Sequence, residues 1–275
     1  MAKIFDTHAH YDDQAFNEDR EELLSGLSDR GVGTVVDVCA NYYEIANVLD
    51  LVSRYDFMYA AVGVHPTEVY ELKDSDIQAV KLFAEKGVGV IDPAVLKERN
   101  CDPGQNKVVA IGEIGLDYHY PDTDKEKQQK WFSLQIKLAQ LLNLPIIVHS
   151  RDAAKDTLDI IKRENGAETG LVMHCFSYEP EMAKIYTEMG VYLGIGGVVT
   201  FKNARKLKEV VKQMPMELML LETDCPYLAP EPYRGKRNDS TLINYAAKAI
   251  AELRGMNYKE VIEITAENAR RFYRL

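Results

Sequence analysis

Nothing in this 275-residue chain points to a disulfide framework, a thiolate zinc knuckle or a bilayer anchor. Its four cysteines, Cys39, Cys101, Cys175 and Cys225, stand far apart with no C-x-x-C pair, so they read as reduced packing residues. No segment approaches the roughly 20 apolar residues that span a membrane, and MAKIFDTHAH lacks the charged-then-apolar pattern of a leader. A soluble, cytoplasmic protein is expected, with no membrane contact and no required protein partner in evidence. Positive charge is also short: 33 Lys and Arg against 43 Asp and Glu give a formal net charge of -10. Broad attachment to duplex nucleic acid needs a positive face to release counterions, so any phosphate contact here must be local. Linkers rich in Gly or Ser, low-complexity tracts and fixed-period repeats are missing too, and a single domain over residues 1–275 is the expectation.

What the chain does have is a 46% hydrophobic content, enough for a large core, arranged as an alternation. Eight short β-rich runs recur at Ile4–Phe5, Thr34–Val38, Phe57–Val64, Val108–Ile111, Ile146–Val148, Leu171–Met173, Val191–Ile195 and Leu218–Leu221. Segments with apolar residues three to four apart lie between them, such as Trp131, Leu134, Ile136, Leu138, Leu141 and Leu142 after Asp124. The runs are continuously apolar, as in parallel strands covered outside by helices and filled inside by side chains. Helix after strand, eight times over, predicts an α/β protein of the TIM-type (β/α)8 barrel class. An open doubly wound sheet is the alternative, although its Gly-rich phosphate turn is missing after the first run. The stretch from Val88 to Lys107, with two Asp-Pro pairs, reads as loop with at most a short strand at Val88–Ile91. From Asp239 to Leu275 two or three helices are expected, interrupted near Arg254 and Gly255.

Five of the six histidines, with a Glu and an Asp, fall where an apolar run stops: His8, His10, His65, Glu113, His149, His174 and Asp224. In a parallel barrel each strand delivers side chains to the site only from its tip, so this distribution predicts a metal-dependent hydrolase. His8 and His10 are two apart and point to the same side of an extended strand, where both can grip one cation; two hydrogen-bonded core histidines are the alternative. His149 and His174 end strand-length apolar runs, where a buried imidazole needs a partner. Glu113 can bridge two divalent cations, one oxygen to each, and Asp224 can ligate one and accept a proton from water. Glu222, two residues before Asp224, is a candidate to orient a ligand. For each acid a buried salt bridge is the competing reading. The arrangement expected is His8, His10 and Asp224 on one ion and His149 with His174 on a second, Glu113 lying between. Such donors suit zinc, manganese, cobalt or iron and do not exclude magnesium.

Seven ordered blocks covering nearly the whole chain resemble the TatD family of metal-dependent deoxyribonucleases, within the amidohydrolase superfamily. They are Phe5-Asp-Thr-His-Ala-His-Tyr, Gly63-Val-His-Pro, Gly112-Glu-Ile-Gly-Leu-Asp-Tyr, Val148-His-Ser-Arg-Asp, His174-Cys-Phe-Ser, Glu222-Thr-Asp-Cys-Pro-Tyr-Leu and Arg234-Gly-Lys-Arg-Asn. The resemblance implies that His8, His10, Glu113, His149, His174 and Asp224 are metal ligands, that His65 belongs to the active site, and that DNA phosphodiesters are the substrate. Superfamily relatives that bridge their metals with a carboxylated lysine differ, since Glu113 stands here. The chain departs from the family pattern in a longer stretch before Glu113 and in Asp239-Ser240, where Glu-Pro is common.

His65 is expected to contact substrate or give a proton to the leaving oxygen, with an ordinary structural histidine as the alternative. Arg151, expected to open a helix after His149, can hold a phosphate oxygen or pair with a surface Asp. Arg234, Lys236 and Arg237 place three charges on the loop after the eighth strand, a phosphate-binding locale in barrels, or else a solvated loop. Tyr227 and Phe176 can stack on a base, with packing favoured for Phe176. His119 sits on a loop, equally suited to substrate contact or plain exposure. The leading function is therefore an exonuclease acting on single strands or strand ends. A metal-dependent hydrolase of another ester, amide or small phosphoester is the second, and a noncatalytic metal-binding scaffold the third.

Overall fold

The computed structural model describes residues 3–275. Eight strands alternate with helices: β1 (Ile4–Ala9), α1 (Arg20–Ser25), β2 (Val32–Val38), α2 (Ile45–Val52), β3 (Met58–Val62), α3 (Ile77–Lys86), α4 (Pro93–Glu98), β4 (Val108–Asp117), α5 (Lys125–Leu142), β5 (Ile146–Arg151), α6 (Ala154–Arg163), β6 (Leu171–Met173), α7 (Pro180–Glu188), β7 (Tyr192–Ile195), α8 (Arg205–Gln213), β8 (Met219–Leu221), α9 (Ile243–Arg254) and α10 (Tyr258–Tyr273). The strands form one eight-stranded sheet whose order follows the chain from β1 to β8, which excludes the doubly wound alternative. The fold is a (β/α)8 barrel. Among the described residues no helix is long and apolar enough to cross a membrane.

By its internal packing the chain parts into two compact units, one made of the chain up to Val36 with His174–Leu275, the other of Asp37–Met173. In the first, all six residues of β1 are buried, and the Phe5 ring stacks on Tyr273 of α10 at 5.8 Å. The Tyr273 hydroxyl donates to the Thr7 carbonyl at 2.8 Å, so α10 is pinned to β1 by apolar area and by a satisfied polar tip. Gly255, in the left-handed conformation at φ 66°, ends α9, and Asn257 caps α10 two residues later. Beyond β8 a parallel bridge joins Ala9 to Cys225, and the His10 N–H donates to the Cys225 carbonyl at 2.9 Å.

In the second unit the ten residues of β4 are all buried, in parallel register with β3 on one side and β5 on the other. Helix α5 starts where Asp124 accepts from the Lys127 N–H and stops at Asn143 in the left-handed region; Trp131 and Phe132 on it are fully buried. Three expectations need correction here. Gly87–Val90 is a 3-10 turn and not a strand, and the supposed loop contains α4. Asp92 caps α4, accepting from the Ala94 N–H at 2.7 Å, and Pro93 takes the first helical position, where its missing N–H costs nothing. Arg151 ends β5 and does not open a helix, because Ala154 is where α6 begins.

Candidate metal centre

Within the first unit, alternation along β1 sets His8 and His10 on one face, with their Nε2 atoms 3.1 Å apart. Asp224 lies three residues beyond β8 in the left-handed region at φ 57°, anchored by its N–H, which donates to the His8 carbonyl at 2.9 Å. One atom, Asp224 Oδ1, is 3.3 Å from His10 Nε2, 3.8 Å from His174 Nε2 and 4.0 Å from His8 Nε2. The His174 ring stacks on His8 with centroids 3.6 Å apart. Its Nδ1 lies 3.3 Å from Glu222 Oε2, while Glu222 Oε1 accepts from the Cys175 N–H at 2.6 Å. Gly194 on β7 makes room for that carboxylate, since a Cβ there would stand 2.1 Å from Glu222 Oε2. Below His8, the buried Asp6 carboxylate accepts from the Thr223 and Ser240 hydroxyls, both at 2.7 Å. Burial presses the Asp224 carboxyl upward, but the hydrogen bond from His10 and the charges of His174, His10 and His8 outweigh it and hold the group below the ordinary carboxylate range.

This set fits a divalent cation. Two imidazole nitrogens 3.1 Å apart cannot both present lone pairs without a proton or a cation between them, and three such nitrogens crowd one carboxylate oxygen. Imidazole nitrogen with carboxylate oxygen is the donor chemistry that zinc and its first-row neighbours accept. His8, His174 and Asp224 bring one donor atom each to within 4.8 Å of one another.

Within the second unit the centre of the arrangement is His149. Its Nδ1 is 2.9 Å from Glu113 Oε1, and its Nε2 is 3.0 Å from Asp117 Oδ2. His65 completes the group: its ring packs edge-on against His149 at 4.5 Å, and its Nε2 is 3.9 Å from Glu113 Oε1. Two buried glutamines of α5, seven residues apart and so on one helix face, hold the backbone of this group. Gln135 accepts from the Val64 N–H at 2.7 Å and donates to its carbonyl at 3.1 Å, fixing the residue before His65. Gln128 accepts from the Asp117 N–H at 2.8 Å. Burial raises the Asp117 carboxyl, yet hydrogen bonds from His149 and the His119 amide and the charges of His149 and His65 leave it below the ordinary range.

Asp117 is the functional candidate that sequence reasoning missed. The signal was there: Glu113 and Asp117 are four apart, and even spacing on a strand means one face. It was hidden because Gly112 and Gly115 make the segment read as the end of a strand. The glycines serve packing, since a Cβ on Gly112 would meet Ile147 Cβ at 2.7 Å and one on Gly115, at φ 139°, the His149 carbonyl oxygen at 2.0 Å.

The expected substrate contacts are mixed. Arg151, Arg234 and Lys236 are exposed. Arg234 lies over the Phe201 ring at 4.4 Å. Arg237 is committed to Asp19 through two hydrogen bonds of 2.7 and 2.6 Å and to the Ala15 carbonyl at 2.9 Å. Tyr227 is 54% exposed, with its hydroxyl donating to Asp13 at 2.7 Å. Phe176 is buried against Tyr178 and Tyr186, a packing residue. His119 is exposed and 3.2 Å from Asp152.

Imidazoles and carboxylates gathered at the ends of barrel strands define a class, the metal-dependent hydrolases. The TatD-related DNase family model matches residues 5–274, and the chain belongs to that family. It is 40% identical over 272 residues to the metal-dependent hydrolase YabD of Bacillus subtilis, covering 99% of each chain. Against the metal-dependent hydrolase TatD of Mycobacterium tuberculosis it is 34% identical, covering 99% of this chain and 98% of that one. The crystal structure of the TatD homologue YjjV from Escherichia coli superposes with a TM-score of 0.87 at 30% identity, covering 100% of this chain and 99% of the other. The protein is a metal-dependent hydrolase of the TatD family.

Proposed function

We propose that the chain is a divalent-metal-dependent hydrolase that cleaves DNA phosphodiester bonds at single strands or strand ends. The reading rests first on the convergence of three imidazole Nε2 atoms on Asp224 Oδ1. Tips of parallel barrel strands share one end of the barrel, and that is where active sites of such folds lie. His8, His10 and Asp224 would hold one cation and His149 with His174 a second, with Glu113 as the carboxylate ligand between them. When bound, such ions acidify water and draw charge from a phosphoryl oxygen; zinc, manganese, cobalt, iron and magnesium all qualify.

The side chains carry the rest. Asp224 is the carboxylate that would accept the proton of the attacking water. His65 is anchored through Nδ1, 2.7 Å from Thr67 Oγ1 and 3.2 Å from the Thr67 amide nitrogen. Its Nε2 faces Glu113 at 3.9 Å, and as an imidazolium the ring would give its Nε2 proton to the leaving oxygen and return to the neutral form. Arg151, Arg234 and Lys236 meet phosphate oxygens, and Tyr227 stacks on a base. The family description supports DNA as the substrate.

A second reading keeps the centre and changes the substrate to a small phosphoester, another ester or an amide. It is favoured by the net charge of -10 and by the Arg237–Asp19 pair, which withdraws one of three loop cations. Purified protein, stripped with chelator and reloaded with single metals, should shorten end-labelled single strands and leave a panel of small esters largely intact. If no strand or duplex is cut with any divalent ion while an ester is turned over, the second reading replaces the first. Inertness towards everything leaves only a metal-binding scaffold.

A further inference from the structure

A cleft of about 290 Å³ opens in the second unit, lined by Thr67, Tyr70, Tyr120 and Asp122. It adjoins the donor set, because Thr67 Oγ1 is 2.7 Å from His65 Nδ1 while the other nitrogen of that ring, Nε2, is 3.9 Å from Glu113 Oε1. A ligand in the cleft is therefore one imidazole away from Glu113. Both tyrosines leave much of their surface in solvent, Tyr70 at 40% and Tyr120 at 54% exposure. Exposed aromatics that stand alone need no explanation, but these two share a cleft and are held in place. We propose that Tyr70 and Tyr120 form a subsite for one nucleobase of the strand being cut, beside the scissile bond. The inference rests on the reading of DNA as the substrate and adds where a base is held and by which residues.

Each tyrosine is anchored from behind. The fully buried Gln128 of α5 donates through Nε2 to the Tyr70 hydroxyl at 3.4 Å, and its amide oxygen accepts from the Asp117 N–H, so one side chain registers Tyr70 against the end of β4. Lys127 donates to the Tyr70 carbonyl. The Tyr120 carbonyl accepts from the Thr123 hydroxyl at 2.7 Å and from the Thr123 N–H at 3.3 Å, and the Tyr120 ring packs edge-on against His119 at 5.3 Å. Rings fixed before the ligand arrives lose little freedom when a flat partner stacks on them. The lining also selects the occupant. Asp122, the charged residue of the cleft, repels a phosphate but accepts from the ring N–H or amino groups that each of the four DNA bases carries. The volume lies just below the roughly 300–1,000 Å³ of small-ligand pockets, which suits one nucleotide and not a duplex. Such a subsite senses that a base is present more than which base it is.

The test uses full-length, metal-loaded protein and end-labelled single strands in which an abasic nucleotide replaces each position in turn. For the wild type, an abasic nucleotide beside the scissile bond should raise KM roughly 5- to 150-fold, the range of one lost stacking contact. Tyr70→Ala and Tyr120→Ala should raise KM for the intact strand within that same range with kcat little changed, and should lose no more on the abasic strand. Tyr70→Phe and Tyr120→Phe keep the ring and should recover most of the loss. An intact-strand KM equal to the wild type in both alanine variants overturns the proposal. So does an abasic penalty as large in those variants as in the wild type, which would put the base elsewhere. A fall in kcat at unchanged KM overturns it too, since the tyrosines would then act on the donor set and not on a base. Should an alanine variant not fold, the wild type still decides: indifference to abasic nucleotides at every position sinks the subsite. Failure of the DNA reading looks different, because then no strand is cut with any divalent ion, and the subsite falls with it.

Discussion

The two donor sets are built on different electrostatic plans. In the first unit three imidazoles face a single carboxylate oxygen, so donor lone pairs outnumber the negative charge that could organise them. In the second, one imidazole stands between two carboxylates and is satisfied from within the protein on both ring nitrogens. An imidazole-rich set depends on a cation for its cohesion, whereas a carboxylate-bracketed histidine keeps its place with protons alone. Metal should therefore contribute more to the stability of the first arrangement than to that of the second.

The largest effect falls on turnover, where both sets are needed. Glu113→Ala and Asp224→Ala should each lower kcat/KM by roughly a thousandfold or more with circular dichroism unchanged. If Glu113→Ala turns over like the wild type, the bridging role is lost and the second unit contributes no ligand carboxylate. Metal removal is the next largest and bears on the comparison directly. With a divalent ion at about 100 times its Kd, binding adds about 2.7 kcal/mol, or about 5–10 °C in Tm for a chain of this size. Chelator should abolish that increment in the wild type. In Asp224→Ala the increment should already be absent, and in His149→Ala part of it should remain. Equal losses in the two variants, read by calorimetric melting, would erase the distinction between the plans.

Much of this was legible in the sequence, for reasons that also explain the gaps. The eight strands announce themselves because parallel strands buried on both faces are continuous apolar runs, such as Ile146–Val148 and Leu171–Met173. The metal-ligand candidates were readable because strand tips are where apolar runs end. Asp117 was not, since β4 continues six residues past the apolar run that ends at Ile111, through two glycines whose smallness serves Ile147 and the His149 carbonyl. Helix α4 was hidden by the same dipeptide that starts it, because Asp-Pro serves a turn and a capped helix equally well. Arg237 looked like a phosphate ligand because a sequence cannot show that Asp19, 218 residues away, has claimed its guanidinium.

That last point separates two neighbouring cations. Arg237→Ala should cost no more than about 1 kcal/mol of stability, since the pair is surface-exposed, and should hardly alter the salt dependence of DNA binding. Lys236→Ala should leave the melting temperature unchanged and lower the salt slope by about one. The reverse pattern would return Arg237 to the substrate.

The smallest effect concerns acid, and it contrasts the two units once more. Asp19 in the first is held below its ordinary value of 3.8, first by the hydrogen bonds from Arg237. Asp50 in the second is held below it too: burial raises it, but Arg99 and Arg54 outweigh that. A carboxyl with a depressed folded-state pKa contributes stability that is present above the unfolded value and lost as pH falls through the folded one. Both contributions should therefore persist above about pH 4 and fade below it. Arg99 also donates to the Asp50 carbonyl at 3.2 Å and to Ser53 Oγ at 2.6 Å, tying the residue that ends α4 to α2 by contacts that acid does not titrate. Urea melts at pH 3 and pH 6 should show Arg99→Ala destabilised at both values, while the smaller cost of Arg237→Ala shrinks at pH 3 towards what its single bond to the Ala15 carbonyl contributes. Convergence of Arg99→Ala on the wild type would mean that its neutral contacts contribute nothing, and that the Asp50 carboxylate alone secures α4.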